Sequence, residues 1–318
     1  MQKKDLLSLA DLSRREICEL IDRAKILKQW KSQGIVHKPL EGKTLGLIFN
    51  KPSTRTRVTF EVGMYQLGGT SLFLSEKEIQ LGRGETVADT AKVLSRYVDG
   101  VVMRTFKQSD LEEFAQEATC PLINGLTDSF HPCQILADIM TIEEAIGRIE
   151  GTKVAYVGDF NNVANSLILG ALLMGYHITV ACPKECEASD ELKSKIEIVE
   201  KREESSGTYE VIDDPIEAVK DADIIYTDVW ISMGQEKERD KKLKLFSPYQ
   251  VNKELVSKSK EGVKIMHCLP AHRGEEITSD VLDSENSIVF DQAENRLHIQ
   301  KAILEYLLSG SKWNFAIT

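Results

Sequence analysis

Between Lys51 and Arg57 the chain reads Lys-Pro-Ser-Thr-Arg-Thr-Arg, so three hydroxyls and two guanidinium groups crowd into one short stretch. The residues that follow, with Val58, Phe60, Val62, Met64 and Leu67, have a helical pattern. The cluster therefore stands at a helix N-terminus. There unbonded backbone N–H groups, the positive end of the helix dipole, hydroxyl donors and arginine forks converge on one spot, which is what a phosphate needs. Simple N-capping employs a single hydroxyl and leaves the other groups unexplained. The Gly-x4-Gly-Lys-Ser/Thr pattern is absent, so a nucleotide is not implied.

Four other places carry polar chemistry. His131-Pro-Cys-Gln134 opens a second helical stretch, and Arg104 stands at the carboxyl end of a predicted strand, where open α/β sheets bind ligands. His267-Cys268-Leu269-Pro270 follows another buried strand, and Gly158-Asp-Phe-Asn-Asn162 a third. Taken singly, His131 suits a cap or surface position, while Asp228 and Asn162 suit turns. Cys268 suits a covalent nucleophile, which needs a positioned base that the sequence does not assign. His267, Cys268 and His272 have no carboxylate or second-Cys pattern at ligand spacing, and the Cys182/Cys186 pair has no second pair or nearby His to complete a ligand set, so no metal is expected. The loop after Val157 lacks Gly-x-Gly-x-x-Gly, which disfavours a dinucleotide.

These residues sit among short β-branched runs alternating with longer helical patterns, the pattern of parallel sheets with crossover helices. Strands are predicted at 44–50, 70–74, 100–103 and 121–123, then at 153–157, 177–181, 209–212, 223–229, 263–267 and 287–290. Helices fall between them, including one over 135–149 and a solvated one over 193–204. The turn Glu150-Gly151-Thr152 separates two alternating halves. The expected fold is α/β with two doubly wound parallel-sheet domains, 1–150 and 151–295. A last helical pattern through Leu297, Ile299, Ala302, Ile303, Tyr306 and Leu307, within 296–318, packs back on the first domain.

Length and charge set the outer limits. The chain of 318 residues is 42% hydrophobic and 28% charged, which fits about two globular domains. A net charge of -10 argues against broad nucleic-acid or anionic-membrane binding, so an anionic substrate must meet a local basic pocket. The most apolar stretch, Leu167 to Gly175, is far short of a membrane span. The first residues have no apolar signal core, and the six scattered cysteines do not form a disulfide framework. A cytoplasmic protein with reduced thiols is expected.

Phe49-Asn-Lys-Pro-Ser-Thr-Arg-Thr-Arg57, His131-Pro-Cys-Gln134 and His267-Cys-Leu-Pro270, in this order, closely resemble the transcarbamoylase family in its ornithine-using branch. Gln80-Leu-Gly-Arg-Gly-Glu85, Met103-Arg-Thr105, Asp228-Val-Trp-Ile-Ser-Met-Gly234 and Glu294-Asn-Arg-Leu-His298 extend the resemblance over nearly the whole chain. The resemblance implies carbamoyl phosphate and L-ornithine as substrates, L-citrulline and phosphate as products, no cofactor, and a homotrimer. By the same resemblance, Ser53, Thr54, Arg55 and Arg296 meet the phosphate; Thr56, Arg104 and His131 face the carbonyl oxygen; and Gln134 holds the carbamoyl NH2. Gln80 reaches the carbamoyl phosphate of a neighbouring subunit. Cys268 and the Leu269 carbonyl orient the reacting groups, Asp228 meets the ornithine α-ammonium, and Asn162, Ser232 and Met233 complete ornithine recognition. The sequence departs from the family at Phe160, where glycine is usual.

Overall fold

Short apolar runs that are covered on both faces make parallel strands, and the chain contains two sets of them. The computed structural model describes residues 4–75, 84–202, 206–231 and 239–309. The chain divides into two compact units, Met1–Cys133 with Arg296–Thr318, and Gln134–Asn295.

In the first unit β1 (Thr44–Phe49), β2 (Thr70–Ser75), β3 (Gly100–Arg104) and β4 (Leu122–Leu126) form a parallel sheet in the order β2-β1-β3-β4. β1 and β3 are almost wholly buried, whereas the edge strand β2 alternates toward exposure. Phe49 pairs with both Ser75 and Arg104, so these three residues share one row at the carboxyl edge. The helices are α1 (Arg14–Ser32), α2 (Thr54–Gln66), α3 (Val87–Leu94) and α4 (Gln108–Glu117). Ile48, Val101, Met103 and Leu122 pack with Leu111 and Phe114 of α4. Strand order reverses between β1 and β3, the place where such sheets bind ligands.

α5 (Pro132–Ile146) leads into the second unit. There β5 (Lys153–Val157), β6 (His177–Ala181), β7 (Thr208–Ile212), β8 (Ile224–Thr227) and β9 (Lys264–His267) form a parallel sheet ordered β7-β6-β5-β8-β9. The associated helices are α6 (Asn162–Met174), α7 (Asp190–Glu200), α8 (Pro215–Val219), α9 (Arg239–Phe246), α10 (Lys253–Val256) and α11 (Ser279–Leu282). The apolar stretch around Leu167 is α6, buried along nearly its whole length. This sheet reverses between β5 and β8.

The expected strand over 287–290 is corrected. Ser287 makes a single parallel bridge to Ile265, and Val289 already begins α12 (Val289–Leu308). The apolar run Ile-Val-Phe reads as a strand because a short run carries no period. Here it is the first turn of a helix, with Phe290 exposed. Among the described residues, no helix is long and apolar enough to cross a membrane.

The second half of α12 is clasped to α1 and α2 of the first unit. Arg23 forks onto Glu305 with contacts of 3.0 and 2.6 Å, and His37 Nε2 lies 3.0 Å from the same carboxylate. Lys301 Nζ donates to Gln66 Oε1 at 3.1 Å, and Tyr306 donates to Glu16 at 2.6 Å. Because Glu305 is only 4% exposed, its removal takes both carboxylate bonds from a half-buried guanidinium group. Glu305→Ala should lower unfolding stability by about 3 kcal/mol in urea denaturation, the scale for breaking a buried ion pair. A loss below about 1 kcal/mol would show that the clasp is not a structural element.

Candidate functional site

In the first unit the side chains gather at the carboxyl edge. Ser53 is the N-cap of α2 and accepts from the Thr56 backbone N–H at 3.3 Å, so the first turn is formed with Thr54 and Arg55 in it. Thr56 is buried, and its hydroxyl accepts from Arg296 Nη2 at 3.2 Å. With the Gln300 amide oriented by its hydrogen bonds, its oxygen accepts from Arg296 at 3.0 and 3.3 Å. α12 thereby supplies a third guanidinium group, fixed from both sides. Arg104, His131 and Arg296 are each about 95% buried or more. Arg57, the second arginine of the motif, turns away to Glu61 at 2.9 Å and stacks 3.7 Å from the Phe73 ring.

The electrostatics follow from this gathering. Burial, and then the Arg296, Arg104 and Arg55 charges in that order, hold His131 well below the ordinary histidine range. The imidazole is therefore neutral and surrounded by cations. A neutral ring donates one N–H without carrying a charge of its own. Lys51, which the motif reading passed over, is buried, bonds Asp128 and lies 4.1 Å from the Phe106 ring centre.

In the second unit, the residues that follow three strand ends do the positioning. Asp228, just past β8, is 5% exposed; its Oδ2 accepts from Asn161 Nδ2 at 2.8 Å and its Oδ1 from the Cys268 thiol at 2.9 Å. Asn161 Oδ1 caps α6 by accepting from the Val163 and Ala164 N–H groups, and it also accepts from the Tyr156 hydroxyl at 3.2 Å. Asn162 is the first residue of α6 and is half-buried. Sequence reasoning chose Asn162 and missed Asn161, although an Asx residue directly before a helical run is a capping signal.

The loop after β9 is pinned from below. The Leu269 N–H donates to His267 Nδ1 at 2.9 Å, which places the ring proton on Nε2, 3.0 Å from Glu276 Oε1. His267 and Glu276 are fully buried. Leu269 stands at φ 57°, a left-handed conformation that costs a leucine about 1 kcal/mol or more and is held here by that bond. Ligand atoms of Asp228, His267 and Cys268 lie within 4.8 Å of one another, a proximity the sequence spacing does not reveal. Both His267 nitrogens are already engaged.

Gln134, in the first turn of α5, donates to Asp138 Oδ1 at 2.8 Å. Asp138, fully buried, also accepts from Tyr226 at 2.9 Å and Gln292 at 2.8 Å. The Gln134 amide is thus set by a carboxylate one turn below it, a partner that its i, i+4 spacing could have suggested. Gln80, Ser232 and Met233 lie outside the described residues.

Two family models match nearly the whole chain. Residues 4–144 match the carbamoyl-P binding domain, and residues 150–307 the Asp/Orn binding domain, of aspartate/ornithine carbamoyltransferase. The chain belongs to the aspartate/ornithine carbamoyltransferase family. Its relatives include the ornithine carbamoyltransferase of Bacillus subtilis, 57% identical over 96% of this chain and 94% of that protein. That of Thermococcus kodakarensis is 54% identical over 97% and 98%. The solved ornithine carbamoyltransferase of Pyrococcus furiosus superposes with a TM-score of 0.92 at 53% identity, covering 97% of this chain and 98% of that one.

The depressed His131 has a measurable consequence. The unfolded chain binds a proton at His131 near pH 6.5 and the folded chain does not, so stability falls as pH drops below about 6.5. A His131→Gln variant should show a shallower loss of stability between pH 6.5 and 5, by up to about 1.4 kcal/mol per pH unit. In NMR titration the His131 ring of the wild type should stay neutral across that window. A ring that titrates near 6.5 would remove the cationic surroundings from the argument.

Proposed function

We propose that this protein transfers the carbamoyl group of carbamoyl phosphate to the δ-amine of L-ornithine, giving L-citrulline and phosphate in arginine biosynthesis. The observation that carries the reading is the match of both family halves along the chain, together with full-length relatives above 50% identity that are ornithine carbamoyltransferases.

The site residues divide by ligand. Ser53, Thr54, Arg55 and Arg296 hold the phosphate; the helix N-terminus and the two guanidinium groups supply charge-assisted bonds. Thr56, Arg104 and neutral His131 donate to the carbonyl oxygen, where negative charge builds as the amine adds. Gln134, its NH2 engaged by Asp138, offers Oε1 to the carbamoyl NH2. Asp228 pairs with the α-ammonium, and Asn162 meets the α-carboxylate. Cys268 and the Leu269 carbonyl orient the amine, and Ser232 and Met233 complete that side.

The amine attacks the carbonyl carbon directly, a tetrahedral intermediate forms, and the C–O bond to phosphate breaks. Activation is already stored in the acyl phosphate, so no cofactor is needed. An alkyl amine with a pKa near 10.4 is about one part in a thousand neutral at pH 7.4, a deficit of about 4 kcal/mol. The site therefore selects the uncharged amine.

A homotrimer with shared sites belongs to the same reading, Gln80 serving a neighbour's carbamoyl phosphate. Exposed Val58 and Tyr65 on α2 and Leu72 on the edge strand β2 are apolar surface suited to a subunit contact. A cytoplasmic setting is part of this reading.

The test is an acceptor panel. Wild type should prefer ornithine over putrescine and N-acetylornithine by at least about 10^2 in kcat/KM, because N-acetylation deletes the cation and leaves the buried carboxylate unpaired, at about 3 to 5 kcal/mol, and putrescine lacks the α-carboxylate that Asn162 meets. Asp228→Asn should impair ornithine use severely while leaving carbamoyl-phosphate affinity within a few fold. Equal use of putrescine by wild type, or equal loss of carbamoyl-phosphate binding in the variant, would sink the assignment. Arg104→Ala should lower turnover by at least about 10^2, the scale of one lost oxyanion donor. Near-normal turnover would take Arg104 out of the mechanism.

A further inference from the structure

His272, Glu275 and Glu276 lie on a turn beyond the loop that follows β9. The chain reverses at Gly274, where φ is 90°, and the turn is closed by the Gly274 N–H on Ile277 O at 2.8 Å and the Glu275 N–H on His272 O at 2.9 Å. Gln250 Nε2 donates to the Gly274 and Glu275 carbonyls at 3.0 and 2.9 Å, and the Val251 N–H donates to Glu276 O at 2.8 Å. On this pinned backbone the three side chains each bring a ligand atom within 4.8 Å of the other two.

Glu276 is not satisfied by its protein neighbours. Its side chain has no exposure, and Oε1 accepts from His267 Nε2 at 3.0 Å and from the His272 backbone N–H at 2.5 Å. Neither donor is a cation, because His267 Nδ1 accepts from the Leu269 N–H and the ring is therefore neutral. Glu276 Oε2 is buried and has no hydrogen-bond partner among the described residues. A carboxylate taken fully out of water is paired with a cation or ligates a metal. His272 Nδ1 is likewise buried without a hydrogen-bond partner, and Glu275 Oε2 stands 3.6 Å from it. Arg239 bonds Glu275 Oε1, and Arg273 is turned to Asp283 at 2.6 and 2.8 Å.

We propose that His272 Nδ1, Glu275 Oε2 and Glu276 Oε2 bind a divalent transition-metal ion. Two carboxylates supply two negative charges for a divalent ion, and the imidazole nitrogen selects Mn2+ or Zn2+ over Ca2+ and Mg2+, which take oxygen ligands. Two ligands of one such ion stand no more than about 4.4 Å apart, twice the longest bond, and the 3.6 Å between His272 and Glu275 is already in that range. The His272 side chain is 42% exposed, which gives an ion a way in. Spacing alone grouped His272 with His267 and Cys268, without carboxylates; the turn sets it beside two, so the expectation of no metal is replaced at this place.

The ion would act behind the loop after β9. It neutralises Glu276, whose other oxygen holds His267, whose Nδ1 in turn holds the Leu269 N–H. Its role is to fix that loop from below, as outer partners fix ligands elsewhere. No step of the proposed reaction passes through it.

The test uses Mn2+, because the thiol of Cys268 beside Asp228 suits softer ions. Whole protein stripped with EDTA is titrated with Mn2+, the unbound ion is read from its electron paramagnetic resonance signal, and the bound ion from its spin-echo modulation. Wild type should take up one Mn2+ per chain, and the bound ion should show coupling to an imidazole nitrogen. His272→Ala and Glu275→Gln should each weaken uptake at least about tenfold, and the nitrogen coupling should vanish in His272→Ala. Saturating Mn2+ should raise the melting temperature of wild type and leave that of His272→Ala unchanged. Mn2+ that stays in solution with wild type would overturn the site. Uptake that is unchanged in both variants would overturn it as well, and would move the ion to other ligands such as Asp228.

Discussion

Positive charge gathered around one buried imidazole is the constraint that organises the first unit. Arg55, Arg104 and Arg296 all act on His131 in the same direction, and burial adds to them. Each cation is placed by a different element: the first turn of α2, the last residue of β3, and the middle of α12. Like charges so placed repel, and the fold must hold them in position. Phe49 fixes the Arg104 row, Thr56 and Gln300 fix Arg296, and the Glu305 clasp ties the far end of α12 to α1. His131 gives way by remaining neutral. A polyanionic ligand at this edge would offset the repulsion among the guanidinium groups, which couples binding to stability.

In the proposed reaction the neutral ring also decides what kind of catalysis the edge supports. An imidazolium would donate more strongly but would add a fourth positive charge to a buried cluster. A neutral ring donates to an oxygen that is gaining charge, and no proton need change hands before the bond forms. Fixed donors aimed at developing charge are the most effective form of such help, because they do not have to reorganise during the reaction.

Much of this was legible in the sequence because strands, helix starts and their polar neighbours are local. Strands 153–157 and 177–181 fall where the alternation put them, and Ser53 caps α2 as its residue type suggests. Non-local pairings were not legible. Asp228 and Cys268 come together because β8 and β9 are neighbours in the sheet, a fact of strand order and not of spacing. The Asn161 and Asn162 roles differ by one helical position, finer than a loop motif resolves. The run over 287–290 was too short for its period to separate strand from helix.

If Asp228 takes the α-ammonium as proposed, acceptor choice follows from how its carboxylate is already satisfied. Its two oxygens take the Asn161 amide and the Cys268 thiol, so the carboxylate is aimed before any ligand arrives. The Cys268 S–H is already donated to the Asp228 carboxylate. The same anion would hold a nearby alkyl amine in its charged, unreactive form. On the proposed assignment, a diamine substrate therefore presents one cationic nitrogen to Asp228 and keeps the other neutral for attack. L-Ornithine separates them by four carbons and adds a carboxylate that fixes which nitrogen goes where. Putrescine keeps two nitrogens at the same spacing but lacks the carboxylate, so what it loses is the contact proposed for Asn162.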